Sequence, residues 1–150
     1  MAKPYPMNKY LSEFLATFIL LFTGTGCVVV NQQFGGALGL PGIAAVWGLV
    51  IIALIYAFGD ISGTHINPAV TVAFAVDKRF AWKEVPGYLL AQLLGALAGS
   101  GVLHYLFPQN ATLAITQPSG TELQALIMET LMTFILMLVV FRVFTGAKEK

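Results

Sequence analysis

The chain has 150 residues, 57% of them hydrophobic and 10% charged, with a mean hydropathy of +0.80. Soluble globular domains carry about 25% charged residues, so this composition excludes an ordinary water-soluble domain and makes the lipid bilayer the expected solvent. A net charge of +1 without any extended basic stretch offers no footprint for nucleic acid, and the single cysteine, Cys27, can form neither an intrachain disulfide nor a cysteine metal cluster.

In chain order, Lys3 and Lys9 precede an apolar run that superficially matches a signal peptide. The run continues to Val30 and ends in Asn31-Gln32-Gln33 with no small-x-small cleavage pattern, so it reads as a retained first span. A hydrocarbon core of about 30 Å needs roughly 20 apolar residues per helix. Four segments meet that length, at about 10–30, 41–58, 85–106 and 123–144, each bounded by Pro or Gly punctuation. All eight basic residues lie before span one, between spans two and three, or at the end of span four, and the loops at 31–40 and 107–122 contain none. By the positive-inside rule both termini are expected on the cytoplasmic side of a cell membrane, whether plasma or inner. In span three, Ala91, Gly95 and Gly99 place small residues on one helix face, where two backbones can approach closely; even as a merely Ala/Gly-rich helix this span should pack against protein.

The segment from 68 to 76 is apolar and helix-compatible, but nine residues at about 1.5 Å each reach only about 14 Å. It can cross half a membrane. Pro68 suits the first helical position and Asn67 the N-cap. The preceding Gly63-Thr64-His65-Ile66 would then carry irregular backbone at membrane depth, tolerated only where it is buried in protein or lines a wet cavity. A half-helix with its positive N-terminus at the midplane suits transport and opposes cations. In that arrangement Asn67 is a fixed amide donor and the carbonyls of 63–66 accept hydrogen bonds from a passing solute. The competing reading is a short cytoplasmic amphipathic helix, or a buried Asn cap.

Ser62-Gly63-Thr64-His65-Ile66-Asn67-Pro68-Ala69-Val70-Thr71 closely resembles the first pore-loop signature of the major intrinsic proteins, the aquaporins and glycerol facilitators. Glu13-Phe14-Leu15-Ala16-Thr17-Phe18, Tyr88-Leu89-Leu90-Ala91-Gln92-Leu93-Leu94-Gly95 and Glu129-Thr130-Leu131-Met132-Thr133-Phe134 match in the same order, so the resemblance covers nearly the whole chain. It implies that Asn67 donates its amide to the solute and that Pro68 and Ala69 shape the half-helix tip. It further implies that Trp47, twenty residues before Asn67, is the aromatic of the narrow outer filter. Trp47-Gly48-Leu49-Val50 and the segment from Arg79 to Pro86 look like the nodulin-like plant branch, and a Trp at the filter is similar to glycerol facilitators. A polyol or other small neutral hydroxylated solute is thus expected over strict water selectivity. The competing reading of Trp47 is a packing or lipid-facing indole.

Glu13-x-Leu15-x-Thr17-Phe18-Ile19-Leu20 recurs at Glu129 with an offset of 116 and six of eight positions identical. Span four therefore reads as the opening helix of a second repeat, inverted in the membrane because three spans separate the two. The expected fold is an all-α membrane protein, a single membrane domain of four transmembrane helices plus one re-entrant half-helix. It comprises a first repeat over about 9–107 and the first helix of a second over about 123–144. Asn67 follows Glu13 by 54 positions, and the same step from Glu129 reaches about 183, so a second half-helix and the Arg that the family places beside it fall outside a 150-residue sequence.

The carboxylates of Glu13 and Glu129 sit inside spans and must face hydrogen-bond partners. The resemblance makes them braces of the re-entrant loops. The loop around His65 is assigned to Glu129, whereas the loop that Glu13 would help to hold is expected to be partly missing from the sequence. His65 reads as a structural hydrogen-bonder, since no second His or Cys stands at ligand spacing; no cofactor and no metal are expected. His104 and the acceptor triplet Asn110-Ala111-Thr112 read as incidental.

The expected function is the N-terminal part of a channel for small uncharged solutes and water, a cut piece or the product of a shortened gene. The family's tetrameric habit implies a homo-oligomer. Pairing with a separate C-terminal half is a second reading, whereas insertion in both directions conflicts with the eight-to-zero charge bias. A non-transporting four-span scaffold joining full-length subunits is the alternative from another class. Enzymatic activity ranks last, because no nucleophile-base pair appears in the sequence.

Overall fold

The protein is described here by a computed structural model covering residues 8–110 and 112–146, with backbone alone for 144–146. Lys3, Lys148 and Lys150 of the basic set, and Ala111 of the acceptor triplet, lie outside the described residues. The described regular structure is helical: α1 Lys9–Gln33, α2 Gly39–Ser62, α3 Pro68–Val76, a short 3₁₀ turn Trp82–Glu84, α4 Val85–Leu106 and α5 Glu122–Gly146. Four of these segments are long and apolar enough to cross a membrane, and α3 is not among them. This is an all-α, multi-pass membrane fold with one short intervening helix.

The chain forms two compact units, Met1–Ala114 and Ile115–Lys150. In the first, α1 lies between α4 and α2, and the order of its contacts gives the directions. A Cβ at Gly87 would strike the Tyr10 ring, at Gly95 the Phe14 carbonyl, and at Gly99 the Phe18 carbonyl at 3.0 Å, so the contacts climb both helices together and α1 and α4 run parallel. The α2 contacts descend instead, from Trp47 against Gly24 to Ser62 beside Ser12, so α2 is antiparallel to α1. The small-residue face of α4 is therefore spent within the chain. It lets the backbone of α1 approach closer than any side chain would allow, which is what drives helix packing where lipid is as apolar as the partner. Ala16, Leu20 and Leu54 form the α1–α2 core, with Trp47 and Ile66 packed around it.

Polar groups close the two ends. Lys9 pairs with Glu84 at 2.7 Å, the Tyr10 hydroxyl also donates to Glu84, and Arg79 pairs with Asp77. At the other end Asn110 Nδ2 donates to Gln32 Oε1 at 3.0 Å, and Asn31 Oδ1 accepts from the Leu38 and Gly39 amides, tying the end of α1 to the start of α2.

Helices α1, α2 and, by a residue or two, α5 run past the limits read from the sequence. α2 continues through Gly59-Asp60-Ile61 to Ser62 and stops only where Gly63 turns left-handed at φ 81°, its N–H bonded to the Gly59 carbonyl. α1 reaches Gln33 before Phe34 caps it. The second unit is built on α5, whose first turn is capped by Thr121: its Oγ1 accepts from Gln124 N at 3.2 Å. Most of the apolar side chains of α5 are exposed, as expected of a span meeting lipid or another protein.

Gly95→Ala is expected to destabilise the first unit by about 1–3 kcal/mol, because the methyl meets backbone that cannot step aside. Unfolding in mixed micelles measures this, with Gly101→Ala, which has open space around it, as the control expected to be near neutral.

Candidate functional site: the half-helix tip and its brace

Asn67 stands extended at φ −154° and its Oδ1 accepts from Ala69 N at 2.8 Å, while Pro68 occupies the first turn, where a missing N–H costs nothing. The cap uses only the amide oxygen. Asn67, Pro68 and Ala69 are exposed, and the Asn67 Nδ2 donors have no hydrogen-bond partner among the described residues.

Behind the tip the chain is held by a single buried carboxylate. Glu13 of α1 accepts through Oε1 from Ser62 Oγ at 2.7 Å and His65 N at 2.9 Å, and through Oε2 from Ile66 N and Gln92 Nε2, both at 2.8 Å. A carboxylate has about four lone-pair sites, and here all four are filled. The loop assigned from the sequence to Glu129 is thus braced by Glu13. The reason is spatial: α2 returns antiparallel along α1 and delivers residues 62–66 to the first turn and a half of α1. Glu129 lies on α5, exposed, in the second unit.

Gly63, Thr64 and Ile66 all have positive φ, at 81°, 49° and 45°. Two of them are β-branched, for which this conformation costs on the order of 1–3 kcal/mol each. The Glu13 bonds to successive amides at 65 and 66 offset that cost. With the amides turned to Glu13, the carbonyls of 63–66 accept no hydrogen bond among the described residues.

The buried side chains behind the loop are linked to one another. Gln92 Nε2 also donates to Thr71 Oγ1 at 2.9 Å, Thr71 Oγ1 donates to the Asn67 carbonyl at 3.1 Å, and His65 Nδ1 lies 3.2 Å from the same hydroxyl. With the Thr71 proton committed to Asn67, the consistent assignment has His65 Nδ1–H donating. The imidazole stacks on Phe74 at 4.8 Å and meets Phe80 and Tyr88, whose hydroxyl donates to the Ser62 carbonyl at 2.8 Å. Thr17 Oγ1 and Gln92 Oε1 are buried without a partner among the described residues.

Trp47 is not part of this cluster. It lies on α2, fifteen residues or about 22 Å of helix before Ser62, half-buried against Gly24 and the α1–α2 core. Sequence reading missed Gln92, Ser12, Ser62, Thr71 and Tyr88 as members of the brace. Gln92 could have been found, since a lone carboxamide in an apolar span demands a partner.

These features define a multi-pass membrane protein that presents a half-helix by its capped N-terminus. The family profile described as major intrinsic protein matches residues 1–150, and the chain belongs to that family. It is 44% identical over 140 residues to aquaporin NIP1-1 of Zea mays, covering 93% of this chain and 50% of the relative. It is 46% identical to nodulin-26 of Glycine max, covering 93% of this chain and 52% of the relative, and 41% identical to aquaporin NIP3-1 of Arabidopsis thaliana, covering 95% and 46%. The chain spans about half the length of the curated relatives it matches, and the resemblance of its Trp47 and Arg79–Pro86 segments to the nodulin-like branch agrees with them.

Glu13→Gln turns one acceptor oxygen into a donor that faces two donors. A loss of about 2–4 kcal/mol is expected, together with faster amide hydrogen exchange at His65 and Ile66. Unchanged exchange at those two amides would sink the brace.

Proposed function

We propose that this chain supplies one wall of a passive channel for small uncharged solutes, glycerol-like polyols and water, in a cell membrane with both termini cytoplasmic. The observation that carries the reading is the half-helix tip: an exposed amide donor at Asn67 beside four carbonyls that accept no hydrogen bond among the described residues. A solute hydroxyl accepts from Asn67 Nδ2 and donates to a carbonyl of residues 63–66, exchanging water for equivalent partners in steps weak enough to release it. The positive N-terminus of α3 opposes cations and protons at the same point. Trp47 forms one side of a narrower outer passage, where its indole covers the carbon skeleton of a polyol. Pro68 and Ala69 bring the helix end close to the solute, Glu13 supports the loop, and Glu129 is assigned the equivalent task in a second repeat that begins near residue 123. The opposite wall comes from protein outside these residues, in the same chain or a partner, either within a homo-oligomer of the kind the family resemblance implies or as a complementary half-channel.

The test is stopped-flow swelling of liposomes carrying residues 1–150, alone and complemented with the second half of a nodulin-26 relative. The complemented form should pass glycerol and water above empty vesicles, and Asn67→Asp should reduce both to the empty-vesicle rate, because the carboxylate removes the donor. Full insertion without flux in the complemented form would reject the channel in favour of a scaffold subunit.

A further inference from the structure

Gly24 lies buried on α1, one turn beyond Leu20 and two beyond Ala16, on the ridge that meets α2. A Cβ placed there would fall 2.6 Å from Trp47 Cε2, 2.6 Å from Cζ2 and 2.7 Å from Cη2. Real Cβ atoms do not approach that closely, and the atoms they would meet belong to the fused ring of an indole, which has two torsions and no flexible end to yield. The ring therefore lies flat against helix backbone, in the space that the missing side chain leaves. Its Nε1–H has no hydrogen-bond partner among the described residues, although a half-buried indole N–H usually finds one.

Resting on the assignment of Trp47 to the outer passage, we infer that Gly24 is a specificity-determining positioning residue: by having no side chain it seats the Trp47 indole back against α1, and so sets both the free width beside the ring and the direction of its uncommitted N–H. The solute class that this arrangement suits is a neutral polyol, larger than water, with a hydroxyl to accept from the indole and carbon to cover its face. A methyl at position 24 drives the ring off α1, into the passage that it borders. Water, which is smaller than any polyol, loses less from this than glycerol does.

The experiment uses the full chain with Trp82→Phe, so that Trp47 is the sole tryptophan, in lipid vesicles. Gly24→Ala should raise acrylamide quenching of Trp47 and shift its emission. In the complemented liposomes described above, the same change should lower the ratio of glycerol to water permeability by about tenfold, the scale of one methylene in a fitted site. Because Gly24→Ala could act by unfolding, the double variant Gly24→Ala/Trp47→Phe is run beside it. Removing the fused ring removes the clash, so the double variant should match Trp47→Phe alone in permeability ratio. Unchanged quenching in Gly24→Ala would overturn the seating, and changed quenching with an unchanged permeability ratio would overturn the specificity role. If Trp47→Ala itself left the ratio unaltered, the placement of Trp47 in the passage would fail, a result separate from either.

Discussion

The four hydrogen bonds received by the Glu13 carboxylate are the constraint on which the rest of the first unit depends. A carboxylate taken out of water costs several kcal/mol, and only a complete set of donors offsets this. Those donors come from three places in the chain: the end of α2, the turn that follows it, and the middle of α4. Satisfying one charge therefore fixes the meeting point of three segments. It also explains how two β-branched residues persist in left-handed backbone, since the conformation that strains Thr64 and Ile66 is the one that turns consecutive amides toward the same carboxylate.

That convergence requires α1 and α4 to be close, and the glycines of α4 make them so. Gln92 is three residues before Gly95 on the same helix, so the close approach that lets Gly95 rest on the Phe14 carbonyl also carries the Gln92 amide to Glu13 and on to Thr71. A wider interhelical spacing would leave Glu13 one donor short. Packing and polar satisfaction are thus a single geometric condition. It binds a small-residue stripe, which alone would signify only proximity, to the placement of α3.

Much of this was legible in the sequence for identifiable reasons. Hydropathy and length returned four spans, and α4 began and ended where expected, because Pro86 and Pro108 bracket it. The short helix was legible to the residue: Asn67 suits an N-cap and Pro68 a first helical position, and nine apolar residues cannot span a bilayer. The end of α2 was misjudged because Gly59, Asp60 and Ser62 are poor helix formers by composition, whereas Gly63 supplies the left-handed cap that lets the helix reach them. The partner of Glu13 was misassigned for a deeper reason. Glu13 and Glu129 sit in near-identical octets, and a local pattern cannot say which distant loop a side chain will meet; that follows from α2 doubling back along α1. Gln92 and Thr71 were quoted within matching strings yet had no role, since their partners lie across the fold.

What separates the tip of α3 from an ordinary helix start is the asymmetry of its hydrogen bonding. On the side toward α1 and α4, Ser62, Thr64, His65 and Thr71 are all buried and bonded. The carbonyls of 63–66 and the Nδ2 of the exposed Asn67 have no hydrogen-bond partner among the described residues. In a water-soluble protein that would be unremarkable surface. In a chain whose other helices are sized for lipid, unpaired backbone against hydrocarbon would cost several kcal/mol per group, and the proposed function answers that cost by giving these groups water or solute as partners. Under the proposed function, a buried charge holds the loop behind Asn67 rigid while the exposed tip is free to make the transient, exchangeable hydrogen bonds that permeation requires.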